Sequence, residues 1–119
     1  MDRRTAREEA FKYLFQLDIN DDQTMNSEKM DPFMKKIVTG VNQHKEAIDQ
    51  LIRKHLENWS FDRIALVEKT ILRIAAYEIT YEDDIPVGVS INEAVELAHT
   101  YGDEKSSKFI NGVLSKIIF

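Results

Sequence analysis

Residues 64–79 read Ile-Ala-Leu-Val-Glu-Lys-Thr-Ile-Leu-Arg-Ile-Ala-Ala-Tyr-Glu-Ile. Ile64, Leu66, Val67, Ile71, Leu72, Ile74, Ala75 and Ile79 are too many apolar positions for one helical stripe. A helix that is apolar around most of its circumference is contacted on several sides. This stretch therefore predicts a central helix on which the rest of the chain packs, preceded by a short helical turn at 61–65.

On the C-terminal side, residues 82–88 form a loop in which Pro86 pushes Ile85 out of helical geometry. Ser90-Ile91-Asn92-Glu93 fits a capping box, with Val89 and Ala94 placed for the hydrophobic staple. The helix it opens is predicted to run to Tyr101 and to stop at Gly102 in a left-handed cap. A last helix from Asp103 or Glu104 carries Phe109, Ile110, Val113, Leu114 and Ile117.

On the N-terminal side, Ile48, Leu51, Ile52 and Leu56 mark a helix ending before Trp59-Ser60, with a bend at 40–45 ahead of it. Asp31-Pro32 is a helix start, and Phe33, Ile37 and Val41 line the buried face that follows. Residues 20–31 are polar and aperiodic and read as a loop. The first helix has the stripe Ala10, Leu14, Leu17, broadened by Phe11 and Phe15, and ends near Ile19. Its start is either a capping box at Thr5-Ala6-Arg7-Glu8 or a cap at Asp2, one turn earlier. Strand signals are absent apart from a short run at 85–89. The fold class is all-α, a compact bundle of at least six and about seven helices.

The chain has 119 residues, the size of one domain. Its 43% hydrophobic content excludes a disordered chain, and no apolar run reaches the roughly 20 residues a membrane helix needs. The opening Met1-Asp2-Arg3-Arg4 has no apolar region behind it, unlike a signal peptide. With no cysteine, disulfide scaffolds, thiolate zinc sites and thiol nucleophiles are excluded. A soluble, cytoplasmic domain without membrane contact is expected.

The net charge of −5 conceals an uneven distribution. Between Arg73 and Lys105 there is no Lys or Arg, yet that interval holds eight acidic residues. Beyond Glu104 only Lys105, Lys108 and Lys116 are charged, and Arg3, Arg4, Arg7 and Lys12 cluster at the other end. Extending the first helix's stripe backwards reaches Arg7 and Arg3. Arginines at a helix N-terminus oppose the helix dipole, so they contribute nothing to the fold by themselves and point to an anionic ligand. The planar guanidinium suits phosphate.

Catalytic and metal chemistry finds no support. His44, His55 and His99 are far apart and make no metal-ligand spacing, and the four glycines form no phosphate-cradling loop. Residues 82–84 lack the ligand alternation of a calcium loop. The chain is read as a non-enzyme with no cofactor and no metal.

Several blocks together carry a family resemblance. RRTAREEA (3–10) followed by Leu14-Phe15-Gln16, ILRIAAYE (71–78), SINEAVELA (90–98), Tyr101-Gly102 and KFINGVLSKI (108–117) resemble the NusB family of bacterial transcription antitermination factors. The resemblance runs from Arg3 to about Ile118. Its strongest piece is INEAVELA followed by KFINGVL at an offset of 17 residues. It implies one RNA-binding domain of two packed helical subdomains, about 1–58 and 59–119. It also implies binding of the single-stranded boxA element of ribosomal RNA leaders together with NusE, a small-subunit ribosomal protein, and entry into the elongating RNA polymerase complex. RNA contact is implied for Arg3, Arg4, Arg7, Tyr101, Lys105, Lys108 and Phe109, and NusE contact for Phe15, Glu68, Tyr77 and Glu78. Lys105 stands where some relatives have an acidic residue, a departure that favours RNA, whereas Asp2 adds an opposing charge at the N-terminus. Phe109 is either a core aromatic or a base-stacking group. Self-association into a homodimer over the RNA surface stays open. Two rival readings are a detached NusB-like domain of a ribosomal RNA methyltransferase and a protein–protein adaptor that binds no RNA.

Overall fold

The computed structural model describes residues 1–20 and 29–118. Most of the loop expected at 20–31 lies outside them. Six α-helices follow in order: α1 (Arg3–Ile19), α2 (Pro32–Gln43), α3 (Lys45–Lys54), α4 (Leu66–Tyr81), α5 (Val87–Tyr101) and α6 (Ser106–Ile118). A 3-10 turn at Phe61–Arg63 precedes α4, and no strand occurs among the described residues. None of these helices is long and apolar enough to cross a membrane.

Helix α4 is the axis of the fold. It packs against each of the other five helices, and every residue from Ile71 to Glu78 is buried. Burial of Ile71, Leu72 and Ile74 stabilises the fold by about 1.5–3 kcal/mol per side chain. The same burial forces its polar members to find partners. Arg73 donates from Nε and Nη2 to the two carboxylate oxygens of Asp49 at 2.8 and 3.0 Å, and from Nη1 to Asp18 at 3.1 Å. One guanidinium thus fastens α4 to α3 and to α1.

Helix starts follow local chemistry, with two corrections. Asp31 accepts from the backbone N–H groups of Phe33 and Met34, with Pro32 at the first helical position. Asp2, and not Thr5, caps α1: its carboxylate accepts from Thr5 N–H at 2.7 Å. The capping box expected at Ser90 is not formed. Helix α5 begins four residues earlier, at Val87 directly after Pro86, which leaves Ser90 buried inside the helix and Val89 exposed. The fixed φ of Pro86 had already set the chain up to turn into a helix.

Gly102 is likewise not left-handed. Its φ is −95°, and what requires glycine is space, since a Cβ there would lie 2.5 Å from the Ser106 side chain and 2.8 Å from the Ala98 carbonyl. The absent side chain lets α6 start tightly against the end of α5. Asp103 holds that start by accepting from Lys105 N–H at 2.9 Å and from the Ser106 hydroxyl at 3.2 Å. These donors hold its carboxyl below the usual value, the Lys105 N–H most of all.

Candidate nucleic-acid and partner interface

The three N-terminal arginines do not project freely. Arg7 is 4% exposed. Its Nε and Nη2 each donate at 2.8 Å to the carboxylate of Glu78, which also accepts from the Ser90 hydroxyl at 2.9 Å. Arg4 forms a second fork on Glu93, at 3.1 and 2.9 Å. Arg3 makes a looser, exposed pair with Asp84 at 3.5 Å. The guanidinium groups of Arg3 and Arg7 also lie over the Phe33 ring, 4.8 and 5.1 Å from its centre.

These arginines therefore do contribute to the fold, contrary to the dipole argument. They supply cations to an interval of the chain that has acids and no base of its own.

Three residues for which partner contact was expected are interior: Arg7, Tyr77 and Glu78 are 4%, 5% and 1% exposed. Tyr77 packs on α2 at Gly40 and donates its hydroxyl to Glu82 at 2.8 Å. Burial, reinforced by Glu82, pushes that phenol far above its usual value. Glu82 accepts in turn from Lys36 at 2.7 Å.

The remaining expected residues converge on the opposite end of the α1–α5 seam. Phe11, Lys12, Phe15, Gln16, Val67 and Tyr101 line a cleft of about 230 Å³. Phe11 lies 5.9 Å from Phe15 and 4.8 Å from Tyr101, ring centre to ring centre. The Tyr101 phenol is raised by partial burial and by its bond to Glu8. A second cleft of about 260 Å³ is walled by Trp59, Arg63 and Glu68 on one side and Asp103, Lys105 and Phe109 on the other. Val67 and Glu68 are consecutive in α4, so the two clefts adjoin at its first turn.

Phe109 is half-buried. It meets Trp59 edge-on, with centroids 5.8 Å apart and rings at 68°. Phe109 thus packs against the core on one edge and walls a cleft on the other. Arg63, Lys105 and Lys108 make no salt bridge among the described residues, in contrast to Arg3, Arg4 and Arg7. Arg4 and Lys12 are eight residues apart on α1, or about 12 Å. Helix α1 thus carries the arginine pairs at one end and a wall of the aromatic cleft further along.

Sequence reasoning missed Trp59, Arg63 and the carboxylates Glu93 and Ser90-bound Glu78 as organisers of this surface. The uncompensated acids between residues 74 and 104 were the available signal for the latter.

The sequence profile of the NusB family matches residues 4–119. The chain belongs to the NusB family. Transcription antitermination protein NusB of Oceanobacillus iheyensis is 59% identical, over 99% of this chain and 99% of its own length. Among solved structures, T. maritima NusB superposes with a TM-score of 0.87 at 37% identity, covering 98% of this chain and 90% of that one. A structure described as antitermination factors NusB and NusE in complex with dsRNA gives a TM-score of 0.83 at 32% identity, covering 97% and 94%. NusB proteins are non-enzymatic, and so is this member.

Proposed function

We propose that this chain is a transcription antitermination factor that binds the boxA element of ribosomal RNA leaders together with NusE and joins the elongating RNA polymerase complex. It does so as one RNA-binding domain with helical subdomains at about 1–58 and 59–119, in the cytoplasm. The observation that carries the reading is the pair of adjoining clefts at the first turn of α4, in a chain of the NusB family. There Lys105 and the half-buried Phe109 line one cleft with Glu68, and neither Lys105 nor Glu68 makes a salt bridge among the described residues; Lys108 follows on the far side of Phe109.

The division of labour follows from charge. Lys105 and Lys108 neutralise phosphates, helped by the exposed Arg3 and Arg4, and position the strand. Phe109 offers its outer edge to an unpaired base, with Tyr101 nearby. Glu68 and Phe15 face the basic ribosomal protein. Arg7, Tyr77 and Glu78 hold α1, α2 and α4 in register behind this surface without touching either partner. A homodimer that covered the clefts would compete with RNA.

Binding of boxA and scrambled single-stranded RNA, each with and without NusE, and of a boxA duplex, tests the reading. The expected order places boxA with NusE tightest. Equal binding of boxA and scrambled RNA would remove the boxA assignment. NusE binding with no RNA binding under any condition would replace the reading with that of a protein–protein adaptor.

A further inference from the structure

Trp59 is the single tryptophan of the chain. It is 60% exposed, although nearly all other large aromatics of the described residues are buried or half-buried. Indole carries a large apolar surface, and leaving it in water forgoes the stabilisation that burial supplies.

Its position is nevertheless well determined. Asn58 just before it has φ 64°, a left-handed conformation that asparagine tolerates and most residues avoid. That residue reverses the chain after α3. Glu57 then bonds Lys116 of α6 at 3.1 Å, and Trp59 rests edge-to-face on Phe109 of the same helix. The loop is thus held against α6 at two points, with much of the indole turned outward.

Trp59 and Phe109 together form a wall shared by two clefts. One is the cleft with Glu68 and Lys105. The other, about 260 Å³, lies on the far side and is lined by His55, Lys108, Gly112 and Lys116, with Glu57 as its one carboxylate. Gly112 leaves the floor of this second cleft open, since a Cβ there would meet nothing within 4 Å. An exposed aromatic face flanked by lysines over an open floor suits an unpaired nucleobase, with its phosphate beside the cations. The excess of positive charge around this cleft disfavours a basic protein segment as the occupant.

We propose that single-stranded RNA continues past Phe109 into this second cleft, where one unpaired base flanking boxA stacks on the outward face of Trp59 and its phosphate lies beside Lys108. The proposal rests on the RNA-binding reading above and extends its footprint by the Trp59–Gly112 cleft.

Because Trp59 is the only tryptophan, its emission reports this stacking directly. The probe is a single-stranded RNA carrying boxA with unpaired uridines on both sides. Its fluorescent label reports overall binding by anisotropy, while Trp59 emission is followed separately. The expected result is quenching of Trp59 along the same saturation curve as the anisotropy. Trp59→Ala should weaken binding about tenfold while leaving the salt dependence unchanged, since stacking releases few ions. Trp59→Phe should restore most of the affinity. Gly112→Glu, which enters open space and so preserves folding, should weaken binding by placing a carboxylate in the cleft. RNA binding by anisotropy with unchanged emission and an unimpaired Trp59→Ala variant would overturn the proposal and leave RNA binding itself standing. Quenching by NusE alone would overturn it in favour of a protein seat. Absence of any anisotropy change, with or without NusE, would end the RNA-binding reading and this proposal together.

Discussion

Arg7 and Glu78 lie 71 residues apart in the chain and form a two-pronged ion pair, both hydrogen bonds 2.8 Å long, in the interior between α1 and α4. Ser90 of α5 completes it from a third helix. Removing one member of such a pair leaves a charge without solvent or partner. Arg7→Ala should therefore destabilise the protein by about 3–5 kcal/mol, measured by urea denaturation. A double replacement, Arg7→Met with Glu78→Leu, should recover most of that loss, because no charge is left buried. If Arg7→Ala left stability unchanged, the pair would not be the clasp between these helices.

Gly40 and Gly112 test space in opposite directions. A methyl group at Gly40 would overlap the Tyr77 ring, which is itself held by Glu82. Gly40→Ala should cost about 1–3 kcal/mol or more as the core is overpacked. Gly112→Ala meets nothing and should stabilise α6 by up to about 1 kcal/mol through helix propensity. Thermal unfolding of the two variants should move in opposite directions.

Arg4 is engaged by Glu93, whose side chain is only 15% exposed, so its charge is partly cancelled before RNA arrives. The bond to Glu93 also raises the guanidinium's pKa further. Glu93→Gln should release Arg4, tighten RNA binding and steepen the plot of log affinity against log salt. Lys105→Ala with Lys108→Ala should flatten that plot by roughly 0.7 for each phosphate that is no longer neutralised. Salt titrations of labelled boxA RNA decide both points. An unchanged slope in the lysine variant would confine phosphate binding to the N-terminal arginines.

Glu68 is half-buried at the junction of the two clefts. Glu68→Lys should weaken NusE binding while the fold persists, because the side chain has no ion-pair partner among the described residues. The cost should be about 2 kcal/mol or more if the pairing is desolvated and much less at a wet rim. Calorimetric titration with purified NusE measures it, and an unaltered dissociation constant would take Glu68 out of the partner surface.

Acid should loosen the helix starts. Asp2 and Asp103 are both held below the ordinary value of 3.8 by backbone N–H donors, those of Thr5 and Lys105. A depressed folded-state value means that the stabilisation is complete above the unfolded value and is lost as pH falls through the folded one. Unfolding midpoints should drop below about pH 4, and Asp103→Asn should show a shallower drop than the parent. Equal acid sensitivity in the two proteins would detach Asp103 from this effect.

The helical class, the central place of α4 and most helix limits are written in local patterns. The apolar excess of 64–79 required neighbours on several sides, and Asp31-Pro32 started a helix because capping is a matter of three or four adjacent residues. The resemblance blocks carried the family in the same local way. Ser90 and Gly102 escaped this reasoning, since a serine followed by glutamate fits a cap equally well when a proline upstream has already begun the helix. What only the tertiary structure decided is which charges are available. Arg7 and Lys105 look alike in sequence as cations near a helix start, yet one is sealed against Glu78 and the ammonium of the other makes no salt bridge among the described residues. Trp59 was silent for the same reason. Whether an indole is buried or presented depends on what α6 brings against it, and that packing joins residues fifty positions apart. Burial and ion pairing are properties of distant segments meeting, and no window along the chain contains both partners.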